Sequence, residues 1–307
     1  MNIIIKAKEL VRRALCIGIT GGGLPECKKD AGVFTALLQR PGTVSKHPVT
    51  GEPLFFPFTD REGKEVRPYE VRYISYDEYS VEQLCEHIPW LQEAGKRIYM
   101  SSHHGFLVKI KRKKYRGVWW GKGKAYTFGH LKEEFFKYID DDESELQEFW
   151  DCCFAKGIKR GVSAPSNALL QANGGIPLLT PTLKAVDGDT LDIPPQQLIS
   201  EGTNCRNTAI YTATQANKPA YGAIWGAPRS YNPIDSFGMS WYTLNLLSAL
   251  CITHSGGYYK NFRSGKNVNK WTNRRMERIR HLYPADYATV AMPDSSCTGG
   301  KFPTLDN

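Results

Sequence analysis

Arg97–Ile110, RIYMSSHHGFLVKI, places two short apolar runs on either side of a Ser-Ser-His-His-Gly corner. Arg97–Met100 and Phe106–Ile110 are rich in β-branched and aromatic residues and read as strands. Just upstream, Glu70–Tyr76 has the same strand character. Ser80 and Gln83 then form a capping-box signature, and Val81, Leu84, Cys85, Ile88 and Leu91 follow at helical spacing before Gly95. Downstream, Arg116–Phe128 reads as a further strand pair. His130–Ile139 reads as a helix with Leu131, Phe135, Phe136 and Ile139 on one face. The order strand–helix–strand–strand–helix predicts an α+β protein whose N-terminal half holds a ferredoxin-like split βαβ sheet.

The outer parts are less regular. Ile3–Ile19 reads as a short helix or strand that ends in the glycine turn Gly18–Gly23. That turn lacks both the GxGxxG pattern and a following Lys-Ser/Thr. The acidic residues Asp140–Glu143 suit the first turn of a helix over Ser144–Ala155. Residues 157–201 are rich in Gly, Pro and small side chains and predict short β segments. A boundary is expected there, with an α+β unit over 1–156 and a mixed β and helical part over 157–307. Within the latter, Asn207–Gln215 and the strongly apolar Ser240–Thr253 read as helices.

Charge supplies the functional expectation. Ser101–Lys124 carries eight Lys or Arg and no carboxylate, and Tyr258–Arg280 carries eight more with one acid, Glu277. Together they hold sixteen of the 40 basic residues, although the whole chain has 31 acids and a net charge of +9. Concentrated cations with aromatic rings among them suit a phosphate backbone with bases stacked on the rings. Lys111, Arg112, Lys113, Lys114 and Arg116 are the expected phosphate contacts. Trp119, Trp120 and Tyr126 are the expected stacking platforms. In the second stretch Lys270, Arg274 and Arg278 share a helical face, with Arg275 beside Trp271. The expected partner is single-stranded DNA or RNA rather than duplex, and a homo-oligomer is compatible with that reading.

His103, His104 and Tyr138 extend this reading toward strand cleavage: two imidazoles can hold a divalent metal and a tyrosine can attack a phosphodiester. On these residues Glu70–Ile139 resembles the rolling-circle replication initiators of the two-histidine class. That resemblance implies a divalent metal and a nucleophilic tyrosine, though the histidines here are adjacent and Lys137 precedes Tyr138. Arg40-Pro-Gly-Thr-Val-Ser-Lys46 and Glu201-Gly-Thr-Asn-Cys-Arg206-Asn207 are similar to segments of archaeo-eukaryotic primases and plasmid replication proteins. Only Glu9, Glu26 and Asp30 precede Arg40, so that likeness implies a relative without the paired metal carboxylates.

Two other functional classes fit the residues. A virion structural or assembly protein would use the Gly/Pro-rich middle for packing and the basic stretches toward a genome. A cysteine hydrolase would use Cys205, set in Gly202-Thr-Asn-Cys205, with His254 as its base. The eight cysteines include no CxxC pair, and no secretory or membrane-length apolar run is present; free thiols in a reducing cytoplasm are expected.

Overall fold

The structure is a computed structural model. It describes residues 11–21, 24–39, 45–46, 53–55, 67–77, 80–110, 112–120, 125–131, 145–153, 179–183, 185–186, 208–214, 220–225, 237–251, 265–279 and 293–297. Its centre is a six-stranded sheet. The strands are β1 (Arg12–Ile19), β4 (Glu70–Tyr76), β5 (Lys96–Ser102), β9 (Glu145–Asp151), β12 (Thr208–Thr212) and β15 (Asp294–Cys297). Their spatial order is β15-β12-β9-β5-β1-β4. All neighbours are parallel except β15, which runs antiparallel to β12.

Alternation along these strands builds two cores. In β1, Ala14 and Cys16 face the first core, with Phe34, Leu37 and Leu38 of helix α1 (Pro25–Gln39) and Leu246, Leu247 and Leu250 of helix α4 (Trp241–Cys251). Leu15, Ile17 and Ile19 face the second, with Leu84 of α2 (Val81–Cys85) and Ile88 and Leu91 of α3 (Ile88–Gln92). Ile98 and Met100 against Tyr99, and Phe149 against Trp150, divide in the same way. Near-continuous burial with helices on both faces is the signature of a parallel sheet.

The expected mixture of helices and strands is therefore present, with a parallel sheet and smaller sheets beside it, but the split βαβ arrangement is not. β4 and β5 do not adjoin, because β1 lies between them. The strands after the His-His corner, β6 (His104–Ile110), β7 (Lys113–Trp119) and β8 (Ala125–Thr127), leave for another sheet, of order β11-β6-β7-β8 with β11 at Ala185–Val186. A third sheet, β10-β13-β14, joins Leu179–Leu183, Tyr221–Trp225 and Phe237–Ser240. A two-stranded ribbon pairs β2 (Ser45–Lys46) with β3 (Pro53–Phe55).

Two predicted helices are strands. Glu145–Asp151 is β9 and Thr208–Thr212 is β12, both inner strands of the main sheet. The helix predicted over His130–Ile139 falls mostly outside the described residues. The apolar helix over Ser240–Thr253 and the basic helix are present, as α4 and α5 (Gly265–Ile279). The main sheet takes strands from both sides of residue 157. Among the described residues no helix is long and apolar enough to cross a membrane.

Candidate active site at the carboxyl ends of the central strands

In an open parallel sheet the carboxyl ends of the strands form the usual ligand crevice, at the point where the chain changes direction across the sheet. Here the first crossover runs outward from β1 to β4, and the later ones run the other way to β5, β9 and β12. β5 and β9 are neighbours in parallel register, with Ser102 level with Asp151. His103 continues the pairing, donating its N–H to Asp151 O at 3.2 Å. The chain then passes through His104 into β6.

The next residue tightens this approach. A Cβ on Gly105 would collide with the Cys153 carbonyl oxygen and lie 2.9 Å from Cys153 N, so only glycine lets the two backbones meet. Consecutive Cα atoms are about 3.8 Å apart, so the His104 backbone lies near the Cys153 backbone. The Cys153 thiol is fully buried. It accepts from Ala220 N–H at 2.9 Å and donates to Ala220 O at 3.4 Å. The His104 ring, 6% exposed, meets Trp119 edge-on, with centroids 5.3 Å apart.

Beside the thiol, two carboxylates converge on one serine. Asp30, on α1, accepts from Ser102 Oγ at 2.7 Å and from Ser240 N–H at 2.7 Å. Asp151 accepts from Ser240 Oγ and from Thr243 Oγ1, the latter at 2.6 Å. Ser240 also caps α4, its Oγ accepting from Thr243 N–H at 3.2 Å. The two carboxylates thus sit at the positive end of that helix. Asp30, Asp151, Ser102 and Ser240 are all buried. Burial, together with the Asp151 carboxylate and Tyr211, holds the neighbouring Tyr242 phenol well above its ordinary pKa.

The two histidines point to different surroundings. His103 lies between Trp120 and Trp150, and His104 against Trp119. Among the described residues no group of three or more His, Cys, Asp or Glu could hold a metal ion. Tyr138 lies outside the described residues, as do Cys205 and His254.

The basic hairpin is divided. Arg112 and Lys113 are exposed and Lys114 is half-buried. Arg116 and Trp120 are sealed in the interior, Tyr126 is buried, and Trp119 is half-buried. Lys111 lies outside the described residues. On α5, Lys270 and Arg274 are exposed and Arg275 is buried. Arg278 lies on that helix, its side chain outside the described set.

Cys16 is fully buried in the sheet, and desolvation pushes its pKa up to about 12. The approach of Gly105 to the Cys153 backbone was not legible in the sequence because it depends on β9 being a strand. The available signals were the His-Gly of His104-Gly105 after one apolar run and Asp151-Cys-Cys153 after another.

No family model and no curated protein sequence matches the chain. Solved structures do. The chain is similar to a Geobacter sulfurreducens protein, GSU0716, with a TM-score of 0.57 at 12% identity, covering 95% of each chain. It is also similar to the Drosophila initiator caspase Dronc, with a TM-score of 0.46 at 9% identity over 95% of this chain and 80% of that one. Caspase-1 from Spodoptera frugiperda gives 0.47 at 10% identity over 97% and 91%. At 12% identity what the chain shares with the Geobacter protein is the fold. The likenesses run to these proteins and not to primases or rolling-circle initiators. That finding, with the strand order and the buried indole of Trp120, corrects the expected kinship with replication proteins. The reading of the chain as a nucleic-acid-binding, replication or viral protein is overturned with it.

Proposed function

We propose that this protein is a cysteine-dependent hydrolase in which Cys153 is the nucleophile and His104 its general base. The observation that carries the reading is the meeting of two neighbouring parallel strand ends: Ser102 is level with Asp151, and just beyond them Gly105 lies on the Cys153 backbone. A thiol is a weak nucleophile until an imidazole takes its proton, and the thiolate then attacks an acyl carbon. The proton held on His104 passes to the leaving group as the thioester forms, and water attacks that ester in the second half-reaction. The backbone N–H groups of Gly105 and Cys153 are the proposed oxyanion donors. The catalytic class is one of those read from the sequence, but the residues differ: Cys153 and His104 in place of Cys205 and His254.

The substrate we assign is a peptide cleaved after lysine or arginine. Asp30 and Asp151 bring two carboxylates together at Ser240, next to the thiol, a setting that favours a cationic side chain. Ser240 ends β14, the outer strand of its three-stranded sheet, and an extended peptide can add to such an edge.

The test is cleavage of fluorogenic peptides ending in Arg, Lys or Asp by purified protein. Cys153→Ser and His104→Ala are each expected to lower turnover by about 10³-fold or more. Asp30→Asn is expected to remove the preference for Arg and Lys. Full activity in Cys153→Ser, or its loss in Cys205→Ser alone, would overturn the assignment.

A further inference from the structure

Resting on the Cys–His reading above, we infer that His103 is a positioning residue: its imidazole braces the His104 main chain and thereby aims the His104 ring at Cys153. His103 is fully buried. Its ring stands edge-on between two indoles, Trp120 and Trp150, each centroid 6.1 Å away and each plane at 70°. Such edge-to-face contacts leave the ring little rotational freedom. Both ring nitrogens are engaged. Nδ1 lies 3.0 Å from His104 O, and Nε2 lies 3.1 Å from Ser101 Oγ. A carbonyl oxygen only accepts, so Nδ1 carries the proton and donates to His104 O. Nε2 is then free to accept from the Ser101 hydroxyl, which fixes the tautomer.

The consequence falls on His104. The residue before it is held by the His103 N–H bond to Asp151 O. Its own carbonyl is held by His103 Nδ1. Its following residue, Gly105, is pressed on the Cys153 backbone. With all three fixed, the Cα–Cβ direction of His104 is fixed too, and the half-buried Trp119 flanks the ring. Reacting groups must be held to well under an ångström for efficient proton transfer. The adjacent histidines therefore have separate work: one is placed to touch the reacting atoms and the other holds it in place.

The experiment measures the pH midpoint of Cys153 alkylation by iodoacetamide, located by peptide mass spectrometry, together with kcat and KM on the Arg peptide and the melting temperature. A thiol paired with a well-placed imidazole ionises below the free value of about 8.5. His103→Asn keeps a donor near the Nδ1 position and is expected to retain the wild-type midpoint. His103→Leu keeps the bulk but loses the donor. It is expected to raise the midpoint by about one pH unit and lower kcat by about tenfold with KM little changed. Should His103→Leu fail to fold, Ser101→Ala, which removes only the hydroxyl that orients the ring, is expected to shift the midpoint the same way by a smaller amount. A wild-type midpoint and kcat in His103→Leu, or in Ser101→Ala where Leu does not fold, would overturn the inference. His104→Ala separates the two claims. If it leaves the midpoint where the wild type has it, the Cys–His reading itself fails; if it moves the midpoint while His103→Leu does not, only the positioning role fails.

Discussion

Gly105 shows how a single missing side chain supports a site. Its backbone occupies the space a Cβ would need, directly against Cys153. Gly105→Ala is expected to push β6 off the end of β9. It should cost about 1–3 kcal/mol of stability, read from denaturant titration, with a larger loss of peptidase activity than of fold. The sequence displayed this glycine and both histidines as a corner, and the corner is real. Their division of labour was not legible, because it depends on Trp120 and Trp150, which reach His103 from two different strands or their ends. The residues expected to stack on nucleic acid are a concentration of aromatic rings in the sequence. A ring's exposure, however, is a property of what packs on it, and Trp120 is packed over completely.

Local signals named some elements well and others wrongly. Ser80 accepts from Gln83 N–H at 3.1 Å while Gln83 Oε1 accepts from Ser80 N–H at 3.0 Å, the reciprocal pair read from the sequence. Ser80→Ala is expected to cost about 1 kcal/mol, measured by chemical denaturation, without changing activity. Near that helix, half-buried His87 lies 3.3 Å from Arg72, which stacks on Trp90. Arg13 covers the same indole and pairs with Glu70 and Glu93. Desolvation, and secondarily Arg72, lower the His87 pKa below its ordinary 6.5, with Glu86 opposing. The unfolded chain thus binds the proton more tightly than the native one. The contribution of the neutral ring is fully present above about pH 6.5 and is lost as the pH falls through the native value. His87→Gln is expected to flatten the acid-side decline of the melting temperature across that interval. β9 was misread because Glu145, Glu148 and the preceding acids resemble a helix start, whereas an inner strand buried on both faces shows no alternation to recognise.

The complete sheet is assembled from distant pieces of chain. β9 has β5 on one side and β12 on the other, and β12 is contributed from beyond residue 157. A fragment of residues 1–156 would leave β9 as a bare apolar edge. It is expected to aggregate or to lose cooperative unfolding, as checked by sizing and a thermal melt. What could be read from the residues alone was what local chemistry dictates: the strands flanking the histidine corner, the capped helix after Ser80 and the apolar α4. These follow from periodicity and capping, which act over a few residues. The order of the strands, the sealing of Trp120, the convergence of Asp30 and Asp151 on Ser240, and the approach of Gly105 to the Cys153 backbone came only with the folded chain. Each joins residues tens to hundreds of positions apart, and which distant segments pair is settled by burying both faces of one sheet at once.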